Sequence, residues 1–400
     1  MRLLEINTVF NGSTGKIMRA VASLAKRNNI EAYCYAGYSG ILSDELCYNI
    51  GTKHSPYIHS KLSYVFGSPE MHSKIETKRL VKQLETIKPD IIHLHNLHGF
   101  YLNVPVLFEY IKKNNVKVVW TLHDCWSFTG RCPHFQVTQC DKWRDGCYDC
   151  VMPRSEYPPT VFDSTKKMWK RKKLWFTNVD DLTVVTPSNW LAGLVKESFL
   201  RDYPVEVINN GVNLSVFKPT SSNFREKYHL LDKKIILSVA FGWGHKKGLD
   251  TILELSKVLS DDFRIVLVGT DDSVDKELPG NILSIHRTNN QIELAEIYSA
   301  ADILFNPTRE DTFPTVNMEA IVCGTPVITF DVCGSPETIA PGCGIVLNNR
   351  DIQDVQNAIS IVLADYETYQ KNCLNETQRY DEEKCFEKYI ELYKSIQARG

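Results

Sequence analysis

The sequence predicts an α/β fold of two successive doubly wound units, each a parallel sheet with helices on both faces. Three observations carry this. Apolar runs of strand length alternate with helical patterns along nearly the whole chain. The series runs twice, broken at residues 216–228 by a polar stretch that includes Pro219, Ser221 and Ser222. And 400 residues exceed one ordinary core but suit two. Alternation favours parallel pairing, because each crossover has room for a helix. The expectation is two Rossmann-like domains facing across a cleft, divided as 1–215, a linker at 216–231, 232–380, and a terminal helix at 381–400.

In the first half the strands fall at residues 3–6, 32–36, 91–94, 116–122, 182–186 and 205–208, with helices at 15–27, 74–88, 104–114 and 189–200. In the second half strands at 235–240, 263–268, 282–286, 302–306, 327–330 and 345–347 alternate with helices at 249–260, 291–301, 315–323 and 352–364. The helix at 315–323 is the best marked. Thr315 is placed to cap it, since a hydroxyl oxygen satisfies free amides at a helix start. Gly324 stops it, and Pro326 leads into the next strand. A helix start facing a strand end is where doubly wound folds bind phosphorylated ligands. Glu319 lies about one turn inside, on a face that can look back at such a ligand.

Composition narrows the function classes. The chain is 43% hydrophobic and 24% charged, as globular proteins are. A net charge of −2 gives no global electrostatic case for nucleic acid. No apolar run approaches the ~18 to 20 residues of a membrane span, and MRLLEINTVFNG reads as a first strand rather than a signal peptide. Twelve cysteines without a secretory signal point to reduced thiols or metal ligands. A cytoplasmic location is the default expectation.

Several motifs suit phosphate and hydroxyl chemistry. Gly12, Ser13, Thr14 and Gly15 follow the first strand and open a helix, so their amides can approach a phosphate, although the run is neither a GxGxxG nor a Walker motif. Lys246 and Lys247 precede Gly248 at another strand end, where two cations suit a diphosphate. His123 and Asp124 close the strand at 116–122. An imidazole there can hydrogen-bond a sugar hydroxyl or stabilise developing charge. His93 and His95 share a strand face, so a metal site is conceivable, and His98 follows them; for His93 a satisfied buried histidine is the favoured reading.

Cys132, Cys140, Cys147 and Cys150 sit within 19 residues, the last two spaced Cys-x2-Cys. They read either as a structural zinc knuckle or as free thiols. Residues 166–176 interleave Lys and Arg with Trp169, Trp175 and Phe176. That helix face either lies on anionic lipid or packs in a core with its lysines solvated; packing is favoured.

The stretch NPTREDTFPTVNMEAIVCGTPVITF, with seven residues between Asp311 and Glu319, resembles the acidic signature of glycosyltransferase family 4, the nucleotide-sugar-dependent enzymes of GT-B fold. The match begins upstream, in RTNNQIELAEIYSAADILFNPT, and the resemblance extends over nearly the whole chain. Asp311 departs from the usual Glu, and Glu310 stands beside it. The family's Arg ahead of the loop Lys is also missing, which leaves Lys246 as second cation.

The resemblance implies retaining transfer of a sugar from a UDP- or GDP-sugar to a hydroxyl of a polysaccharide or lipid-linked oligosaccharide. Glu319 would bind the ribose, Asp311 a sugar hydroxyl, and Lys247 with Lys246 the diphosphate, helped by the amides of Thr315 and Val316 and the loop Gly12 to Gly15. His123 would stand by the donor sugar, with His95 and His98 on the acceptor side. The terminal helix would cross back onto the N-terminal domain. No cofactor is expected for the chemistry, since the chain has no Asp-x-Asp to hold a metal on a diphosphate. Peripheral membrane contact is expected if the acceptor is lipid-linked. The competing reading is a non-catalytic, zinc-stabilised binding or scaffold protein on the same frame.

Overall fold

The structure, a computed structural model, describes residues 1–40 and 46–399. It divides into two compact units, Met1–Asn209 with Phe386–Gly400, and Asn210–Cys385.

The first unit holds a seven-stranded parallel sheet: β1 (Arg2–Asn7), β2 (Glu31–Gly37), β3 (Cys47–Ile50), β4 (Ile91–Leu94), β5 (Lys117–Thr121), β6 (Leu182–Thr186) and β7 (Val205–Val207), in the order β3-β2-β1-β4-β5-β6-β7. Strand order reverses between β1 and β4, so the loops leaving both diverge there and open a crevice at the strand ends. One sheet face packs Leu4, Ile6, Ile92, Leu94, Val118 and Trp120 into the core. The opposite face carries Glu5, His93 and Thr121, all buried. Two of these meet the helix Glu382–Ala398, whose Tyr393 and Tyr389 hydroxyls bond to His93 and Thr121.

The second unit holds six parallel strands: β8 (Lys234–Val239), β9 (Phe263–Val268), β10 (Ile282–Ile285), β11 (Ile303–Asn306), β12 (Val327–Phe330) and β13 (Gly344–Leu347), ordered β10-β9-β8-β11-β12-β13. Successive residues feed separate cores, Ile235 and Leu237 on one face and Ile236 on the other. That is why these strands read as continuous apolar runs. Here the switch point lies between β8 and β11.

The fold departs from the sequence reading in two places. The boundary falls at Asn209, and the expected linker is folded: Phe217, Phe224 and Leu230 are buried in the second unit's core. Spaced singly among polar residues, they give no periodic signal. β3, half exposed at a sheet edge, went unread for the same reason. The basic segment forms the helix Thr165–Phe176 and packs as expected, with Met168, Trp169 and Phe176 in the core, although Lys172 is buried with them and not solvated.

Candidate functional site

In the second unit the loops after β8 and β11 meet at the switch point. Gly248 sits at φ +78°, and a Cβ there would strike the Pro307 carbonyl, so only glycine lets the two loops approach. The Arg309 amide donates to the Lys246 carbonyl at 2.9 Å. Arg350 fastens the same loop from below by donating to the Pro307 and Thr308 carbonyls at 2.9 and 2.6 Å. These contacts bring two cations against two carboxylates: Lys247 Nζ lies 2.7 Å from Asp311 Oδ2, and Lys246 Nζ lies 3.4 Å from Glu310 Oε1. Glu310 is buried, whereas Lys247 is 37% and Asp311 26% exposed. An ion pair so open to water contributes only ~0 to 1 kcal/mol. A phosphate can therefore displace Asp311 from Lys247 at small cost.

The helix Thr315–Val322 starts beside this pair. Its cap position is held by Pro314 with no side-chain cap bond, which corrects the capping role expected of Thr315. The Asn317 amide donates to the Pro314 carbonyl at 3.3 Å, which leaves those of Thr315 and Val316 for an outside acceptor. Thr315, Val316 and Glu319 are the half-exposed residues of an otherwise buried helix, so they share its one open face. Glu319 Oε2 accepts from Tyr298 OH at 2.9 Å, and Tyr298 is fully buried. Burial, with Glu319 beside it, pushes the Tyr298 phenol well up, so it stays a donor and orients the carboxylate. Behind the helix, Asn317 bonds to Asn306 at 2.8 Å and to Thr338 at 2.9 Å, pinning it to the strand ends. Tyr298, Arg350 and Asn317 went unread, because their partners are distant in sequence.

In the first unit the loop after β1 leads straight into the helix Gly12–Arg27, which has no side-chain cap. Gly12 and Ser13 are exposed. Thr14 is tied to Asn7 at 3.1 Å. Gly15 is buried where a Cβ would strike the Phe10 backbone, so it serves close approach rather than ligand contact.

The histidines gather near the ends of β4 and β5. His93 is a satisfied buried histidine, 2.6 Å from Tyr393 OH and 2.8 Å from Thr121 Oγ1. His95 is 1% exposed, with Nε2 3.1 Å from Glu5 Oε2 and Nδ1 3.0 Å from His123 Nε2. It therefore stands behind His123, and its expected place on an acceptor surface does not hold. His98 is half-buried and bonds Asp124 at 2.8 Å. Burial raises the Asp124 carboxyl, but His98, with His134 and the Trp126 amide, more than offsets this and holds it at about 2. Burial lowers His93 to about 3 and half-buried His123 to about 4. The ligand atoms of Glu5, His93 and His95 lie within 4.8 Å of one another, but the hydrogen bonds above already engage them.

The four loop cysteines are free thiols. Cys132, Cys140 and Cys147 pack against the first core, and the Gly130 amide donates to Cys147 Sγ at 3.1 Å. Burial pushes the Cys132 thiol up to about 12, with Cys147, Cys150 and Cys140 close enough to add to the shift. In kind the donor set suits zinc. Yet the groups of three or more ligand atoms within 4.8 Å of one another, among the described residues, do not include these sulfurs.

An uncapped helix start, a part-exposed lysine and an oriented carboxylate thus stand together at the switch point of a doubly wound sheet, the place where such folds bind phosphorylated ligands. Two family models match the chain. Glycosyltransferase Family 4 covers residues 21–216 and Glycosyl transferases group 1 covers residues 206–379. The protein belongs to the family 4 glycosyltransferases of GT-B fold. Among its relatives is WcaC of Escherichia coli (strain K12), a glycosyl transferase named for colanic acid biosynthesis, 24% identical over 276 residues, or 67% of this chain and 66% of WcaC. Among solved structures, sucrose-phosphate synthase from Thermosynechococcus elongatus superposes with a TM-score of 0.73 at 19% identity over 100% of both chains. Anabaena Alr3699/HepE in complex with UDP-glucose gives 0.67 at 14% identity, over 99% of this chain and 100% of that one. At these identities the likeness speaks for the fold.

Proposed function

We propose that the protein is a retaining hexosyltransferase that moves a sugar from a UDP- or GDP-sugar to a hydroxyl of a growing polysaccharide or lipid-linked oligosaccharide. The carrying observation is the exposed Lys247–Asp311 pair beside the uncapped start of Thr315–Val322. In this reading the donor diphosphate takes Lys247 from Asp311 and accepts the amides of Thr315 and Val316. Lys246 adds charge. Released from Lys247, Asp311 accepts from a sugar hydroxyl. Glu319, oriented by Tyr298, accepts from the ribose hydroxyls. As the bond to the anomeric carbon breaks, negative charge grows on the leaving phosphate, where Lys247 and the helix start stabilise it. That phosphate takes the acceptor proton, and the acceptor attacks from the same face, so no protein nucleophile is required. Gly12 and Ser13 offer further amides to the donor, and His123 stands by its sugar, with His98 on the acceptor side.

A zinc ion on Cys132, Cys140, Cys147 and Cys150 is part of this reading, as a staple for the loop and not as a participant in transfer. Membrane contact also belongs to it, through a neighbouring apolar helix and not through the buried aromatic face of residues 166–176. The helix Ser55–Phe66 exposes Tyr57, Ile58, Tyr64, Val65 and Phe66, and Lys167 and Arg171 line a hollow beside Phe66. No helix among the described residues is long and apolar enough to cross a membrane.

The test is thermal stabilisation by nucleoside diphosphates and nucleotide-sugars, followed by transfer assays. Stabilisation by one nucleotide series, lost in Glu319→Ala, is expected. A folded protein that no nucleotide stabilises would refute the donor site, and tight binding without turnover would favour a scaffold.

A further inference from the structure

Glu5 is fully buried on β1, opposite His93 on β4, and transfer as described above makes no use of it. Its Oε2 begins a line of hydrogen bonds, 3.1 Å to His95 Nε2 and then 3.0 Å from His95 Nδ1 to His123 Nε2. The line ends at His123, whose Nδ1 makes no hydrogen bond to the described residues. A neutral imidazole carries one N–H and one bare nitrogen, so a donor at one end of such a line fixes every tautomer along it.

We infer that Glu5 and His95 are positioning residues: protonated Glu5 donates to His95 Nε2, His95 Nδ1–H donates to His123 Nε2, and His123 is held with its proton on Nδ1, as an outward donor. The inference rests on the reading of His123 as a group beside the transferred sugar.

The surroundings favour this direction. Glu5 Oε1 is buried without a hydrogen-bond partner, so an ionised carboxylate would keep an uncompensated oxygen. The groups around it are His93 and His95 of β4, Cys34 of β2, Cys47 of β3, Thr121 of β5, Tyr389 and Tyr393 of the C-terminal helix and, beyond β5, His123. None is a permanent cation. Burial, with Cys47 adding, pushes the Glu5 carboxyl well above the usual range, and burial keeps His95 and His123 neutral. His93 does not compete, because both its nitrogens are taken.

Ionisation at high pH reverses the line. Each internal proton moves one place outward, from Glu5 to His95 Nε2 and from His95 Nδ1 to His123 Nε2, so that His95 then donates to Glu5, and the proton on His123 Nδ1 leaves to solvent. One proton is lost, and the outward atom changes from donor to acceptor.

Glu5→Gln keeps a donor of the same shape that cannot ionise, whereas Glu5→Leu removes it. The full chain labelled with 15N-histidine reports the tautomer directly, with His123→Gln for assignment. The expected result is Nδ1–H at His123 in wild type and Glu5→Gln, a tautomer mixture in Glu5→Leu, and a switch at alkaline pH in wild type only. Turnover of UDP-glucose or GDP-mannose, whichever stabilises the fold, should show an alkaline fall in kcat that is absent from Glu5→Gln. In Glu5→Leu kcat should drop about 10-fold, the size of one good hydrogen bond, with KM unchanged. A wild-type tautomer and kcat in Glu5→Leu, or an unchanged alkaline fall in Glu5→Gln, overturns the inference. Full turnover in His123→Ala alongside a Glu5-dependent tautomer would instead mean that the line is real and the role of His123 is wrong.

Discussion

The second unit gathers its charge in the open and the first gathers its polar groups in the dark. Around Lys247 and Asp311 the ion pair is partly open to water and weak enough to be exchanged for a ligand. Around Glu5, His93 and His95, burial suppresses ionisation, and the groups act through the direction of their hydrogen bonds. The contrast separates two ways of storing function. An exposed pair exchanges charge, whereas a buried line holds a geometry and a tautomer.

Removing a member of the exposed cluster should give the largest effect. Lys247→Ala is expected to lose roughly 2 to 4 kcal/mol of transition-state stabilisation, or about 30- to 1000-fold in kcat/KM. Steady-state kinetics check this, and near-wild-type turnover would break the contrast, because the displaceable pair would then be idle.

The buried cluster should show itself in acid. His93 and His59 (also held at about 4) have folded pKa values below the ordinary 6.5, as does His123. The unfolded chain therefore binds their protons first, and stability falls as pH drops below about 6.5. The loss flattens only near their folded values, at a slope approaching ~4 kcal/mol per pH unit for three such groups. Asp124 acts in the same direction at lower pH. Its depressed carboxyl contributes stability above about 4 that is lost as pH falls through about 2. Urea melts from pH 7 to pH 5 should show the early loss, and His93→Gln should reduce the slope by about one proton. A flat profile down to pH 5 would mean that these imidazoles are protonated in the fold.

Smaller effects sharpen the picture. Tyr298→Phe removes the donor that orients Glu319 and should weaken nucleotide binding by about 1 to 2 kcal/mol, roughly 5- to 30-fold. Titration calorimetry with the stabilising nucleotide decides it, and unchanged affinity would show that helix packing alone places Glu319. Elemental analysis should find about one zinc per chain, lost in Cys150→Ser with little change in kcat. Metal-free protein with the wild-type melting temperature would leave the loop as free thiols.

The sequence exposed these regions unequally. The acidic stretch was legible because strand, proline, helix start and carboxylates succeed one another locally, so spacing alone places Glu319 on the face of Thr315 and Val316. Glu5 was invisible, since one carboxylate within LLEIN reads as noise in an apolar strand until β4 lies beside it. His95 was misplaced because its position at the end of β4 suggested a loop, whereas both ring nitrogens are drawn inward. Phe217 and Phe224 hid in a polar stretch whose composition said linker while two buried rings said core.

The face of the first sheet that bears Glu5 and His93 is closed by the last residues of the chain, through Tyr389, Tyr393 and the Lys117 ammonium donating to the Ile396 carbonyl at 2.9 Å. During synthesis that face is left bare until this helix has emerged, after the whole second unit. The unit whose strands are made first is therefore completed after the second. A chain ended at Cys385 should yield a protease-resistant second unit attached to a first unit that is readily cut, and equal resistance in both halves would show that the closing helix is dispensable.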